Sequence, residues 1–252
     1  MLLLEKVYKS RLQLKKLLSN EWSVEPIHDV SLKELGIMYE ADNEDIYLDN
    51  GCNFTLTNLK IPSHKLHVIY YNFPELHRSG TKINKTCCGK LNALYKRDGF
   101  ESDESQFEPE DSILVIINEP VSESIEKSVE RMFLTGIDEI SKRGLPPAIR
   151  KEMKSSNFEM DITYFRNIHM FHVDTLIVNL LNHRLVPTHE VIRNKEHIDT
   201  ICKQTNSNPI LLPVILRTDP IAKLIRLSPG DICKITRRSE TSGSSIYYRV
   251  CK

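Results

Sequence analysis

The chain has 252 residues, is 40% hydrophobic and carries 34 Lys plus Arg against 34 Asp plus Glu, for a formal net charge of zero. At roughly 150 residues per domain this allows one large or two small domains with real cores, and the zero balance excludes a histone-like binder, so any nucleic-acid role must come from local charge. Met1 to Leu4 is too short for a signal-peptide core and no run reaches the roughly 18 apolar residues of a bilayer span, so a soluble intracellular protein with reduced cysteines and no disulfide is expected.

In chain order, Leu4, Val7, Leu14 and Leu18 fall on one face of a segment rich in helix formers, which predicts an amphipathic helix from Leu3 to Ser19. Arg11 interrupts that face and is expected to lay its aliphatic stem along it with the guanidinium in solvent. Asp42 to Thr57 is polar and reads as a loop or edge hairpin. Leu66 to Tyr71 is β-branched and aromatic and predicts a strand, with a turn at Gly80. Asn84 to Arg97 has helical composition with Cys88, Leu91 and Leu94 in step and Gly99 as an end signal. Neighbouring Cys87 and Cys88 would then point about 100° apart, one of them into the core.

Between Glu101 and Glu126 there are nine acidic residues and no basic one, and Asp98 to Glu110 reads as a solvated surface loop. Ile113 to Ile117 is a run of five aliphatics suited to a strand buried on both faces. Ser122 and Glu123 then supply an N-cap and a first-turn acid for a helix to about Leu134, completing a strand–loop–helix unit. Such a unit presents its loop at the carboxyl end of the strand, where ligands or partners sit on α/β layers. Gly144, Pro146 and Pro147 break the next segment, and Asp161 to Asn182 includes a short strand before a change of domain. Asp174 to Lys252 holds twelve basic and seven acidic residues, so it carries +5 and the first 173 residues carry −5. Strand-like runs at Asp231 to Thr236 and Ser245 to Val250 flank a turn from Arg238 to Gly243.

Several chemistries lack their residues. Nine glycines are few, and neither Gly80 nor Gly89 has the spacing of a phosphate-cradling loop. His169 with His172 is a lone pair, and Cys202, Cys233 and Cys251 are far apart, so no metal site is expected and the histidines read as partly buried side chains near a strand. No G-x-S-x-G elbow is present. The expected core strand has no carboxylate or Lys of a metal-dependent nuclease, which leaves catalysis without support.

The C-terminal segments LVPTH, LLP, TDPIAK, PGDICKI, RRSETSG and YYRV occur in an order that resembles subunit 5 of eukaryotic nuclear RNA polymerases. The archaeal counterpart is similar over this C-terminal part alone, and related chains occur in large DNA viruses. Ser79 to Leu91 and ILVIINEPVSES are similar to the family's N-terminal jaw. The resemblance implies an α+β protein: an α/β jaw domain over 1–173 and a small mixed α/β assembly domain over 174–252. It implies a non-catalytic subunit without cofactor or small-molecule substrate, anchored to the largest subunit and helping to hold downstream double-stranded DNA. Its expected place is the nucleus or, for a viral copy, the virion or infected-cell cytoplasm.

Carried over residue by residue, the DNA-proximal loop comprises Pro120, Ser122, Ser124 and Lys127, and the assembly surface Pro187, His189, Asp219, Pro220, Gly230, Arg238, Glu240, Gly243, Tyr248 and Arg249. Asp219 before Pro220 suits a helix start, and Gly230 and Gly243 suit positive φ in turns. Arg238 and Glu240 bind either each other or a partner chain. Several positions depart from the family: Glu119 and Glu123 would repel phosphate, Arg226 replaces a glycine, Val214 a basic residue, and Ser244 with Ser245 a basic and aromatic pair. With an acidic insertion at about 98–110 and an unmatched 41–62, these describe a divergent copy of cellular or viral origin. The competing readings are a free regulator that competes for the polymerase and a nuclease-like α/β enzyme.

Overall fold

The computed structural model describes residues 2–40, 52–71, 86–95, 107–156 and 160–252. Two compact units emerge: 1–152 with 165–178, and 153–164 with 179–252. The overall class is α+β, as expected.

In the first unit the amphipathic helix is α1, Leu3–Leu18, with Val7, Leu14 and Leu18 buried. Arg11 does not reach solvent. It is 5% exposed, donates Nη1 to the Cys52 carbonyl at 2.6 Å and lies 5.0 Å over the Phe54 ring. The acceptor comes from 41 residues away, which helical periodicity cannot reveal. Helix α2, Leu32–Glu40, starts with a capping box in which Ser31 N donates to Glu34 Oε2 (2.6 Å) and Glu34 N to Ser31 Oγ (3.3 Å). These backbone and hydroxyl bonds to Ser31 hold the Glu34 carboxyl below its ordinary value.

Strands β1 (Phe54–Thr57) and β2 (Lys65–Tyr70) pair antiparallel. Helix α3, Thr86–Ala93, leads to the fully buried β3, Ser112–Ile117, then α4, Glu123–Arg143, α5, Pro147–Ser155, and β4, Ile168–His172. The sheet order is β1-β2-β3-β4, with β2, β3 and β4 mutually parallel. The aliphatic run is therefore a central strand, because only a strand covered on both faces buries every side chain. On one face α3 and α4 supply Leu91, Ile125, Val129 and Met132 against Ile113, Val115 and Ile117. Cys88 is buried there, and the expected turn at Gly80 and end signal at Gly99 lie outside the described residues.

Helix α4 continues two turns past the expected end. It passes through buried Gly136 and stops at Gly144, whose φ is +77° and whose N–H bonds Ile140 O at 2.7 Å. The expected solvated acidic loop also needs correction. Residues 98–106 lie outside the described residues, but Phe107, Pro109 and Glu110 are buried. Phe107 stacks on His67 at 3.8 Å, and burial raises the Glu110 carboxyl above its ordinary value. The end of a segment that is polar by composition is thus drawn inward by the Phe107 ring.

In the second unit, β5 (Thr188–Ile192), α6 (Lys195–Thr205), β6 (Val214–Ile215), α7 (Pro220–Leu224), β7 (Ile232–Ser239) and β8 (Gly243–Cys251) follow in order. The sheet order is β5-β7-β8-β6, antiparallel except for β6 with β8. One face packs Ile215, Cys233, Ile235 and Cys251 with Ala222 and Leu227; the other packs Ile232 and Val250 with Leu212. The hairpin tip is shorter than expected, because Ser239 already pairs with Gly243. No helix among the described residues is long and apolar enough to cross a membrane.

Candidate functional site

Two surfaces carry the residues singled out from the sequence. The first is the loop from β3 into α4, where Pro120, Ser122, Ser124 and Lys127 are all exposed. Ser122 occupies the N-cap position with extended backbone, yet its hydroxyl makes no cap bond, contrary to expectation. The helix start is instead held by backbone bonds from Ile125 N and Glu126 N to Ser122 O. Lys127 Nζ is 2.6 Å from Glu123 Oε1, a solvent-exposed i,i+4 pair. With Ser124, Ser128 and Arg131 this pair lines a shallow hollow on the first turns of α4. The acid that departs from the family pattern therefore compensates the nearest cation and weakens the loop's attraction for phosphate.

The second surface is the C-terminal sheet. Asp219 caps α7 as expected: Oδ1 accepts from Ile221 N (2.8 Å) and Ala222 N (3.3 Å), with Pro220 in the first turn. Gly230 and Gly243 have φ of +95° and +72°, and Gly230 N donates to Cys251 O at 3.0 Å, tying the turn to the last strand. Half-buried His189 on β5 pairs with Ile235, which in turn pairs with Tyr247, so the three form one row across the sheet. The His189 ring bonds the Pro187 carbonyl at 2.7 Å. Tyr248 faces Lys234, Arg238 faces Ser244, and Arg249 faces Cys233.

Arg249 donates Nη1 to Val214 O at 3.2 Å, so its guanidinium covers the β6 edge inside its own domain. Among the described residues no ion pair joins Arg238 to Glu240, and both are exposed beside the hairpin tip. Burial pushes the Cys233 thiol up to about 11, partly opposed by Arg249, and burial takes Cys251 up to about 12. Neither is poised as a nucleophile.

The sequence reading missed the clasp at the base of this sheet. Arg193 donates Nε to Asp231 Oδ2 at 3.0 Å and Nη2 to Arg226 O at 2.9 Å, and lies 4.8 Å over Tyr164. Asp231 Oδ2 also accepts from Ser228 N at 2.9 Å. Arg226, which stands where the family has glycine, has φ +55°, the left-handed region that glycine occupies at no steric cost. No local signal links Arg193 to Asp231 across 38 positions; the PGD turn alone hinted at half of the pair.

The first unit holds a further polar series. Thr55 Oγ1 lies 2.9 Å from His67 Nδ1, and His67 Nε2 lies 3.1 Å from Asp111 Oδ2. Hydroxyl, imidazole and carboxylate in line are the parts of a nucleophilic relay, but Asp111 also accepts from Lys65 N and Glu108 N, and Phe107 covers the ring. The series fastens 107–111 to β2. His169 is buried and His172 half-buried, both on β4, and no cluster suited to a metal occurs among the described residues.

Comparison with known proteins places these features. A family model described as RNA polymerase Rpb5, C-terminal domain, matches residues 178–251. The chain is 48% identical over 71 residues to the DNA-directed RNA polymerase subunit Rpo5 of Archaeoglobus fulgidus, covering 28% of this chain and 92% of the relative. It is 43% identical over 72 residues to subunit Rpo5 of Sulfolobus acidocaldarius, covering 29% and 84%. It is 49% identical over 67 residues to that of Sulfurisphaera tokodaii, covering 27% and 79%.

Proposed function

Because the chain belongs to the RNA polymerase subunit 5 family, we propose that it is a non-catalytic subunit of a multisubunit DNA-directed RNA polymerase. Its own chemistry is binding. Residues 174–252 anchor it to the largest subunit, and the loop from β3 to α4 lies beside downstream duplex DNA. The observation that carries the assembly half is that Asp219, Gly230 and Gly243, within the matched span, adopt the cap and turn geometries their residue types suit. For the jaw, support comes from the strand–loop–helix layout, which presents Ser124, Lys127 and Arg131 on one exposed face. The Glu123–Lys127 pair makes its phosphate contacts weak, and they matter only because the assembly supplies a high effective concentration. A cellular copy works in the nucleus, and a viral one in the virion or infected-cell cytoplasm.

Purification of the N-terminally tagged chain from its native source at about 0.5 M salt tests the reading, since loosely held electrostatic partners fall away there. Stoichiometric recovery with the two largest polymerase subunits is expected. Recovery alone, or with substoichiometric polymerase, rejects it in favour of a free regulator. The isolated chain should bind duplex DNA more weakly than micromolar at about 0.15 M salt.

A further inference from the structure

The β7–β8 hairpin outruns the cores that hold its base. Apolar packing on one sheet face ends at Ile235, and on the other at Ile232 and half-buried Tyr248. The neighbouring strand β5 reaches only Thr236. Among the described residues, 237–245 therefore form a two-stranded ribbon with no third strand beside it, and such ribbons are marginal in water. The ribbon itself is polar, but at its base Ile246 is 52% and Tyr247 46% exposed at neighbouring positions, so apolar surface is presented there on both faces. The guanidinium of Arg237 lies 4.9 Å over the Tyr247 ring, while Arg238 projects from the opposite face. From Lys234 to Arg249 there are four basic residues and one acidic one, Glu240. Lys234 is already paired with Glu190 at 2.9 Å, and Arg249 with the Val214 carbonyl, which leaves Arg237 and Arg238 as the outward charges.

We propose that residues 237–247 are gripped by an acid-rich segment of another polymerase subunit that also carries apolar side chains. Carboxylates meet Arg237 and Arg238 on the two faces, and apolar groups cover Ile246 and Tyr247. This rests on the subunit reading and adds the chemistry of the partner. A second copy of this chain fits poorly, because it would set arginine against arginine. A nucleic acid fits less well than protein, because half-exposed Ile246 has no use for a phosphate backbone and Glu240 at the tip repels one.

The test uses the full-length chain within the native polymerase, with Tyr247→p-benzoylphenylalanine as a photo-crosslinker. The polymerase is first checked for the chain, then irradiated, and the cross-linked peptide is sequenced. The expected product is an adduct with one polymerase segment in which Asp and Glu outnumber Lys and Arg. Adding Arg237→Glu and Arg238→Glu should lower its yield at least about tenfold with the melting curve of the free chain unchanged. A cross-link to nucleic acid, to a neutral or basic segment, or no cross-link from a chain that is present in the polymerase, overturns the proposal. Absence of the unsubstituted chain from the polymerase instead overturns the subunit reading itself.

Discussion

The side chain of Arg166 lies across Gly136 so closely that a Cβ built on the glycine would overlap Arg166 Nε and Cδ. Arg166 continues to Pro109 O (3.1 Å) and Asn92 Oδ1 (3.1 Å) and stacks 3.7 Å over Tyr95, so it joins α4, α3 and the segment before β3. Gly136→Ala, favourable for an isolated helix, should therefore destabilise the chain by about 1–3 kcal/mol. Denaturant unfolding measures this, and the cost should shrink when Arg166→Ala removes the obstruction. Gly36→Ala serves as the control, since a Cβ there meets only Leu4 Cδ2 at 3.5 Å.

Arg226 allows a comparison in which the side chain cancels. Both Arg226→Ala and Arg226→Gly lose the same buried arginine, but only glycine relieves a backbone held at φ +55°. The Gly variant should be more stable than the Ala variant by about 1 kcal/mol. Equal unfolding midpoints would show that the turn relaxes out of the left-handed region.

The buried thiols fix a direction for alkaline stability. Burial raises Cys233 from 9.0 to about 11 and Cys251 to about 12. An acid raised in this way keeps its proton longer in the folded state than in the unfolded one. Its contribution is complete below about pH 9 and is lost as pH rises through the folded values. Unfolding midpoints should fall more steeply between about pH 9 and 11 in the wild type than in Cys233→Ala, Cys251→Ala.

Glu123 makes the jaw reading measurable. Glu123→Gln releases Lys127 from its 2.6 Å pair. If the loop lies beside DNA, polymerase carrying this variant should hold a downstream duplex about two- to fivefold more tightly near 0.1 M salt and show a steeper salt dependence. Superimposable salt titrations for the two polymerases would place the loop away from the duplex.

Much of the architecture was legible because its causes are local. Helical spacing located α1, the aliphatic run identified β3 as a core strand, and Asp219-Pro220 marked the start of α7. Gly230 and Gly243 stood where positive φ is needed, and the C-terminal motif order pointed to the family that the comparison supports. The S-x-x-E box before α2 was equally local and could have been found. What only the tertiary structure decided involves charged side chains whose partners are remote in sequence: Arg11 on the Cys52 carbonyl, Arg166 across Gly136, Arg193 on Asp231. A long cationic side chain reads as a surface residue from sequence, since burial without a partner is prohibitive. The carbonyls and carboxylates that make burial tolerable are assembled only when distant segments meet. The same holds for the acidic segment, where Phe107 stacking on His67 carries buried Glu110 inward against a composition that favours water.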